Sequence, residues 1–351
     1  MKLNATYIKI RDKWWGLPLF LPSLILPIFA HINTFAHISS GEVFLFYLPL
    51  ALMISMMMFF SWAALPGIAL GIFVRKYAEL GFYETLSLTA NFIIIIILCW
   101  GGYRVFTPRR NNVSHGDSRL ISQRLFWQIV FPATLFLILF QFAAFVGLLA
   151  SRENLVGVMP FNLGTLINYQ ALLVGNLIGV PLCYFIIRVV RNPFYLRSYY
   201  SQLKQQVDAK VTKKEFAIWL LALGALLLLL CMPLNEKSTI FSTNYTLSLL
   251  LPLMMWGAMR YGYKLISLLW AVVLMISIHS YQNYIPIYPG YTTQLTITSS
   301  SYLVFSFIVN YMAVLATRQR AVVRRIRRLA YVDPVVHLPN VRALNRALRD
   351  A

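Results

Sequence analysis

Apolar positions along this chain come in blocks. Runs occupy roughly 17–38, 43–74, 85–103, 125–150, 165–187, 215–233, 244–259, 264–280 and 301–317, with short polar joints between them. A helix needs about 20 apolar residues to cross a bilayer, so each run reads as membrane-spanning helix. The 43–74 run fits badly, being either one overlong helix or two short ones. Pro49, Pro66, Gly67 and Gly71 interrupt it.

Charge decides between these. Lys and Arg are retained on the cytoplasmic side of spans. If 43–74 were one span and the N-terminus cytoplasmic, segment 104–124 would face out while carrying Arg104, Arg109, Arg110, Arg119 and Arg124. Two spans meeting near Phe59–Trp62 put that segment inside. Only Arg75, Lys76, Arg152 and Lys237 then lie outside. The expected fold is therefore all-α: a polytopic transmembrane bundle of about ten spans, both termini cytoplasmic. A re-entrant hairpin at 43–74 is the alternative. Lys2, Lys9, Arg11 and Lys13 precede the first run, which is longer than a signal-peptide core and has no cleavage site after it; it is expected to be a retained span.

Composition agrees. The chain is 59% hydrophobic and 12% charged, against about 25% charged in soluble domains. A net charge of +20 would suggest nucleic acid in a soluble protein. Here the basic residues sit in the joints, so they report topology, and lipid is the expected partner. Cys99, Cys183 and Cys231 lie within apolar runs and His31, His37, His115, His279 and His337 are scattered, so no metal site is expected. Met53, Met56, Met57 and Met58 read as packing.

Polar residues inside the runs are the candidates for a site. Asn91, Gln141, Asn168, Gln170, Asn176 and Asn310 carry no charge, which disfavours an ion-coupled transporter. Most are expected to bond between helices at about 0.6 kcal/mol each. Asn168, Gln170 and Asn176 share one run and form the candidate ligand-binding cluster. The pairs Gly67–Gly71 and Gly175–Gly179 have the spacing for close helix contact. Uncharged segment 281–300, rich in Tyr, Thr and Ser, reads as an interfacial cap, or else the rim of a ligand vestibule.

Beyond Thr317 the last run continues into Arg318, Arg320, Arg324, Arg325, Arg327 and Arg328. Leu315, Val322 and Leu329 are seven apart, and Gln319 and Ile326 complete an a/d pattern. The spacing predicts a signalling helix able to pair with a second copy. A basic helix lying on the membrane fits the same residues.

Two resemblances follow. LPGIAL at 65–70, GNLIGVPL at 175–182 and LPLMMWGAMRYG at 251–262 resemble, in order, the span motifs of the first class of MASE domain, a bacterial membrane-associated sensor. Ala64 and Leu65 depart from its Trp-Pro, and Asn176 replaces an acid. LAYVDPVVHLPNVRALNRAL at 329–348 resembles the opening of a GGDEF domain through Leu329, Ala330, Asp333, Leu338, Pro339, Asn340 and Leu344; Val335, Val336, His337 and Val341 depart from it. Together they resemble the front of an enterobacterial cyclic di-GMP phosphodiesterase, in which a degenerate GGDEF domain precedes an EAL domain.

The resemblance implies a segment 1–16, a sensor domain 17–317, a basic helix 318–332 and a GGDEF-like start 333–351. It implies a sensory module governing cyclic di-GMP turnover in output domains absent from this chain, with Mg expected only there. An unknown cue and a homodimer of the full-length protein are the expected partners. No catalytic residue can be assigned here: Asp12, Asp117, Asp208, Glu215, Asp333 and Asp350 form no cluster. The alternative reading is a transporter or channel with a basic tail.

Overall fold

The computed structural model describes residues 13–38, 41–106, 126–146, 162–207, 211–232, 244–283, 285 and 290–331. Helix α1 is Leu17–Ile32; strands β1, Thr34–Ile38, and β2, Gly41–Phe46, follow. Then come α2, Pro49–Phe60, a 3-10 turn Ser61–Ala64, α3, Leu65–Leu80, and α4, Phe82–Phe106. A π-helical segment Ile129–Leu135 leads into α5, Phe136–Phe145. The remainder is α6, Leu163–Arg191; α7, Tyr195–Gln206; α8, Lys213–Cys231; α9, Asn244–Tyr261; α10, Tyr263–His279; and α11, Tyr291–Tyr331. This is a membrane helical bundle.

The hairpin departs from the all-helical expectation. Strands Thr34–Ile38 and Gly41–Phe46 pair antiparallel, with Phe35 opposite Phe44, Ala36 opposite Val43 and His37 opposite Glu42. Apolar content hid it, because strand and helix both tolerate such a run. The alternation was present: Thr34 and Ala36 are buried while Phe35 and His37 are exposed, the period of two that a strand requires.

The 43–74 run folds back on itself. Six stretches among the described residues are long and apolar enough to cross a membrane, and one is 32 residues, Pro49–Leu80. A continuous helix of that length would span about 48 Å. Yet Pro49 and Leu80 line one cavity. The reversal occurs at the turn, where Ser61 has φ +53°, a left-handed conformation costly outside glycine. Helices α2 and α3 are about 18 and 24 Å long, both short of a 30 Å hydrocarbon core.

Close contacts give each helix its direction. A Cβ on Gly67 would lie 2.4 Å from the Pro18 carbonyl oxygen, and one on Gly71 would lie 3.0 Å from that of Pro22, so α1 and α3 run parallel. A Cβ on Gly175 would lie 2.3 Å from the Tyr47 carbonyl oxygen and one on Gly179 2.8 Å from Ala51, so α2 and α6 run parallel. Trp127 Nε1 donates to the Cys99 carbonyl at 2.9 Å, while Phe92 meets Phe140 further along; α4 and α5 are antiparallel. Cys231 Sγ lies 3.3 Å from Ser280 Oγ, and Tyr281 Oη donates to the Phe35 carbonyl at 3.2 Å. The ends of α8 and α10 therefore share the hairpin's side. Phe216 meets Tyr261 and Trp219 reaches Leu253, so α8 and α9 are antiparallel; Tyr263 meets Thr317 and Trp270 meets Ser306, so α10 and α11 are antiparallel too. Among the described residues, the long helices therefore alternate in direction.

The post at the centre is α6, with 61% of its apolar window buried against 17% for α8. It packs on α2, β2, α10 and α11. Residues 291–300, expected in a polar cap, instead form the first turns of α11. Their hydroxyls bond back along the helix: Thr296 Oγ1 donates to the Thr292 carbonyl at 2.8 Å and Ser300 Oγ to that of Thr296 at 2.8 Å. Such bonds let polar residues enter a helix interior.

Candidate functional site

At the hairpin end lies a cavity of about 690 Å³. Its walls come from α1, β2, α2, α3, α4 and α5, and the apolar part includes Leu26, Phe44, Met53, Ile72, Phe92 and Phe140. The polar part is narrow: Asn33, Glu42, Arg75, Lys76 and Glu79. The last three form one turn of α3, where Glu79 is paired with both Arg75 and Lys76, the latter at 2.8 Å. Arg75 Nε is buried and has no hydrogen-bond partner. Asn33 Oδ1 accepts from the Leu48 N–H at 3.0 Å, which fixes the chain between hairpin and α2.

The opposite end holds a joint. Helix α11 leaves the bundle there as one unbroken helix of 41 residues. Thr317 Oγ1 accepts from the Tyr263 N–H at 3.0 Å. Arg320 reaches the ends of two other helices. Its Nη1 donates to the Arg260 carbonyl at 3.0 Å and to the Gln206 carbonyl, and its Nη2 donates to that of Met259 at 2.8 Å. Arg324 Nη1 donates to the Gln205 carbonyl. The last carbonyls of a helix lack internal partners and carry partial negative charge. A guanidinium fork with five donors satisfies several at once.

The joint's backbone is specific. Gly262 has φ +82°, and a Cβ there would lie 2.8 Å from Gln206 Cβ. Gln206 Oε1 accepts from the Lys264 N–H at 3.0 Å. Tyr199 Oη donates to the Lys264 carbonyl at 2.8 Å. Burial holds the Tyr199 phenol well above its ordinary pKa, because the anion would lose its hydration.

The chain matches the MASE1 family over residues 15–320. This chain belongs to the MASE1 family. It is 99% identical over 351 residues to the cyclic di-GMP phosphodiesterase PdeF of Escherichia coli (strain K12), covering 100% of this chain and 47% of that protein. It is 25% identical over 345 residues to the probable cyclic di-GMP phosphodiesterase PdeA of the same strain, covering 95% of this chain and 46% of that protein. The chain spans about half the length of the curated relatives it matches. No solved structure matches it.

The three MASE1-like motifs have different tasks. LPGIAL puts Gly67 against α1, as does Gly71 just after it, and GNLIGVPL puts Gly175 and Gly179 against the start of α2. LPLMMWGAMRYG builds the joint. A Cβ on Gly257 would lie 2.4 Å from the Trp219 ring, Trp219 Nε1 donates to the Leu253 carbonyl at 2.9 Å, and Gly262 makes the turn to α10.

Asn168, Gln170 and Asn176, expected as one ligand-binding cluster, each bond to a different partner. Asn168 is buried, and its Oδ1 accepts from the Phe44 N–H at 2.7 Å, tying β2 to α6. Gln170 Nε2 donates to Ser300 Oγ at 2.7 Å, tying α6 to α11. Asn176 Nδ2 donates to the Leu172 carbonyl at 2.8 Å, within its own helix. The cavity's own polar residues were missed as a site. Arg75 and Lys76 counted as topology markers, and only the hairpin brings Asn33 and Glu42 beside them. On α11, Leu315, Val322 and Ile326 are exposed. The side chain of Leu329 and the GGDEF-like residues 333–351 lie outside the described residues, as does segment 1–12.

Proposed function

We propose that this MASE1 chain is the sensory membrane part of a cyclic di-GMP phosphodiesterase, passing the state of its bundle to cytoplasmic output domains through α11. The observation that carries the reading is the joint. A single helix runs from the bundle core past its end, and Arg320 fastens it to the last carbonyls of α7 and α9. Among the described residues, no flexible linker interrupts α11 where it leaves the bundle, so nothing there absorbs a displacement. Near-identity to a protein named as a cyclic di-GMP phosphodiesterase supports the choice of output.

A physical route joins the cavity to the exit. Strand β2 contributes Phe44 to the cavity wall and is bonded to Asn168 of α6; Gln170, on the same helix, is bonded to Ser300 of α11. Coupling needs such contiguous packing with two arrangements. In this reading the protein lies in the bacterial inner membrane with both termini cytoplasmic. Residues 17–317 form the sensor and 318–332 the basic signalling helix. Residues 333–351 open a GGDEF-like domain; Mg belongs to the output domains. Helix α11 pairs with a second copy through Leu315, Val322, Ile326 and Leu329.

Transmission is tested in the full-length protein by inserting four Gly-Ser residues between Arg318 and Val322. The expected result is that phosphodiesterase output no longer differs between cells with and without the wild-type response. Unchanged control of the output after insertion overturns the reading.

A further inference from the structure

We propose that the cavity at the hairpin end binds a small organic carboxylate, with the anion at Arg75 and an apolar, ring-sized body against Met53, Ile72, Phe92 and Phe140. This deepens the sensory reading and rests on it, since it supplies the class of cue.

Three features give the ligand its chemistry. The first is an excess of donors. Arg75 and Lys76 both lean on the single carboxylate of Glu79, and Arg75 Nε is buried with no partner. An unsatisfied buried donor, on a charged group above all, is costly. A carboxylate offers about four lone-pair sites and satisfies it. The second is Asn33. Its Oδ1 is committed to the Leu48 N–H, so its amide can meet an anion only through Nδ2, as a donor. The third is the wall. Away from this turn the lining is mostly apolar, with Asn33, Glu42 and Tyr47 as its polar members, which suits a hydrocarbon body better than a sugar or a polyphosphate. A volume of about 690 Å³ suits a small-molecule site, which commonly falls between about 300 and 1,000 Å³.

Glu42 also lines the cavity but is engaged elsewhere. It pairs with His37 at 2.8 Å, on exposed side chains. Glu79 competes for Arg75 and Lys76, and this makes the site tunable. It holds both cations when the cavity is empty and must share them when an anion enters. Entry would thus loosen one turn of α3 and press on Phe44, whose backbone is bonded to Asn168.

The test uses 2-naphthoate as the probe, with the uncharged isostere 2-naphthamide, on the full-length protein in phosphatidylcholine nanodiscs. Binding is read by calorimetry, less that of empty discs. Naphthoate should bind and naphthamide at least tenfold more weakly, as expected for a charge-assisted contact. Arg75→Gln should weaken naphthoate about tenfold or more, while Glu79→Gln should tighten it severalfold. Opposite effects from adjacent side chains separate a lost contact from a damaged fold. Equal binding of both probes, or an unchanged affinity in Arg75→Gln, overturns the proposal. So does loss of naphthoate binding in discs containing phosphatidylglycerol, which would give the site to a lipid headgroup. Transmission through α11 is read separately by the linker insertion, so either result can fail without the other.

Discussion

Glycine positions show most directly how single residues set this bundle. Gly175 and Gly224 both sit inside apolar helices, and composition does not separate them. A Cβ on Gly175 would strike the Tyr47 backbone at 2.3 Å, whereas one on Gly224 meets nothing within 4 Å. Backbone cannot move aside as a side-chain tip can. Gly175→Ala should therefore destabilise by about 1–3 kcal/mol, seen as a lower unfolding temperature in detergent. Gly224→Ala should be neutral or stabilising by up to about 1 kcal/mol, because alanine is the better helix former. Equal melting of the two variants would mean that the α2–α6 contact is looser than drawn. The four-residue spacing of Gly175 and Gly179 was legible in the sequence. Its partner, the short stretch between β2 and α2, was not, because that stretch is positioned by a hairpin hidden in an apolar run.

Helix α11 carries the next scale. Its arginines are not equivalent. Arg320 and Arg324 turn to the carbonyl ends of α7 and α9. At 100° per residue, Leu315, Val322 and Ile326 lie on the opposite face, where they are 37%, 56% and 60% exposed. The charge that would oppose pairing is thus partly drawn to the bundle side. In membranes holding the full-length protein, cysteine at Val322 should crosslink between copies readily and cysteine at Arg324 much less. Equal yields would exclude a defined seam. The clamp itself is open to test. Arg320→Ala leaves carbonyls of three residues without this donor and should raise hydrogen exchange across 318–331. Arg320→Lys, which lacks the planar fork, should restore protection only in part. No difference between Arg320→Ala and wild type would remove the joint as a mechanical connection.

At the scale of the whole molecule, the alternating helices leave α7, the α9–α10 turn and the α11 exit at one end, and the hairpin and cavity at the other. A reporter fused at Lys204 should therefore behave as cytoplasmic, and one at Gln282 as periplasmic. Asn111, outside the described residues, should report cytoplasmic as well if α2 and α3 are separate crossings. A periplasmic signal at Asn111 would contradict the fold-back at Ser61–Ala64.

The sequence by itself determined the solvent and the helical class. Both follow from the length of the apolar blocks, a local property. It also placed the break in 43–74 near Phe59–Trp62, because one extra crossing is needed to keep the basic joints on one side. The tertiary structure alone decided the rest. Whether an apolar run becomes strand or helix at 34–46 depends on the helix that buries one of its faces, here α6 through Asn168. Whether polar residues make a site depends on which of them meet. Asn168 and Gln170 share a helix yet bond to different neighbours, while Asn33 and Glu42 are far in sequence from Arg75 and Glu79 and line one cavity with them. Spacing along one helix fixes a face; only packing decides what that face meets.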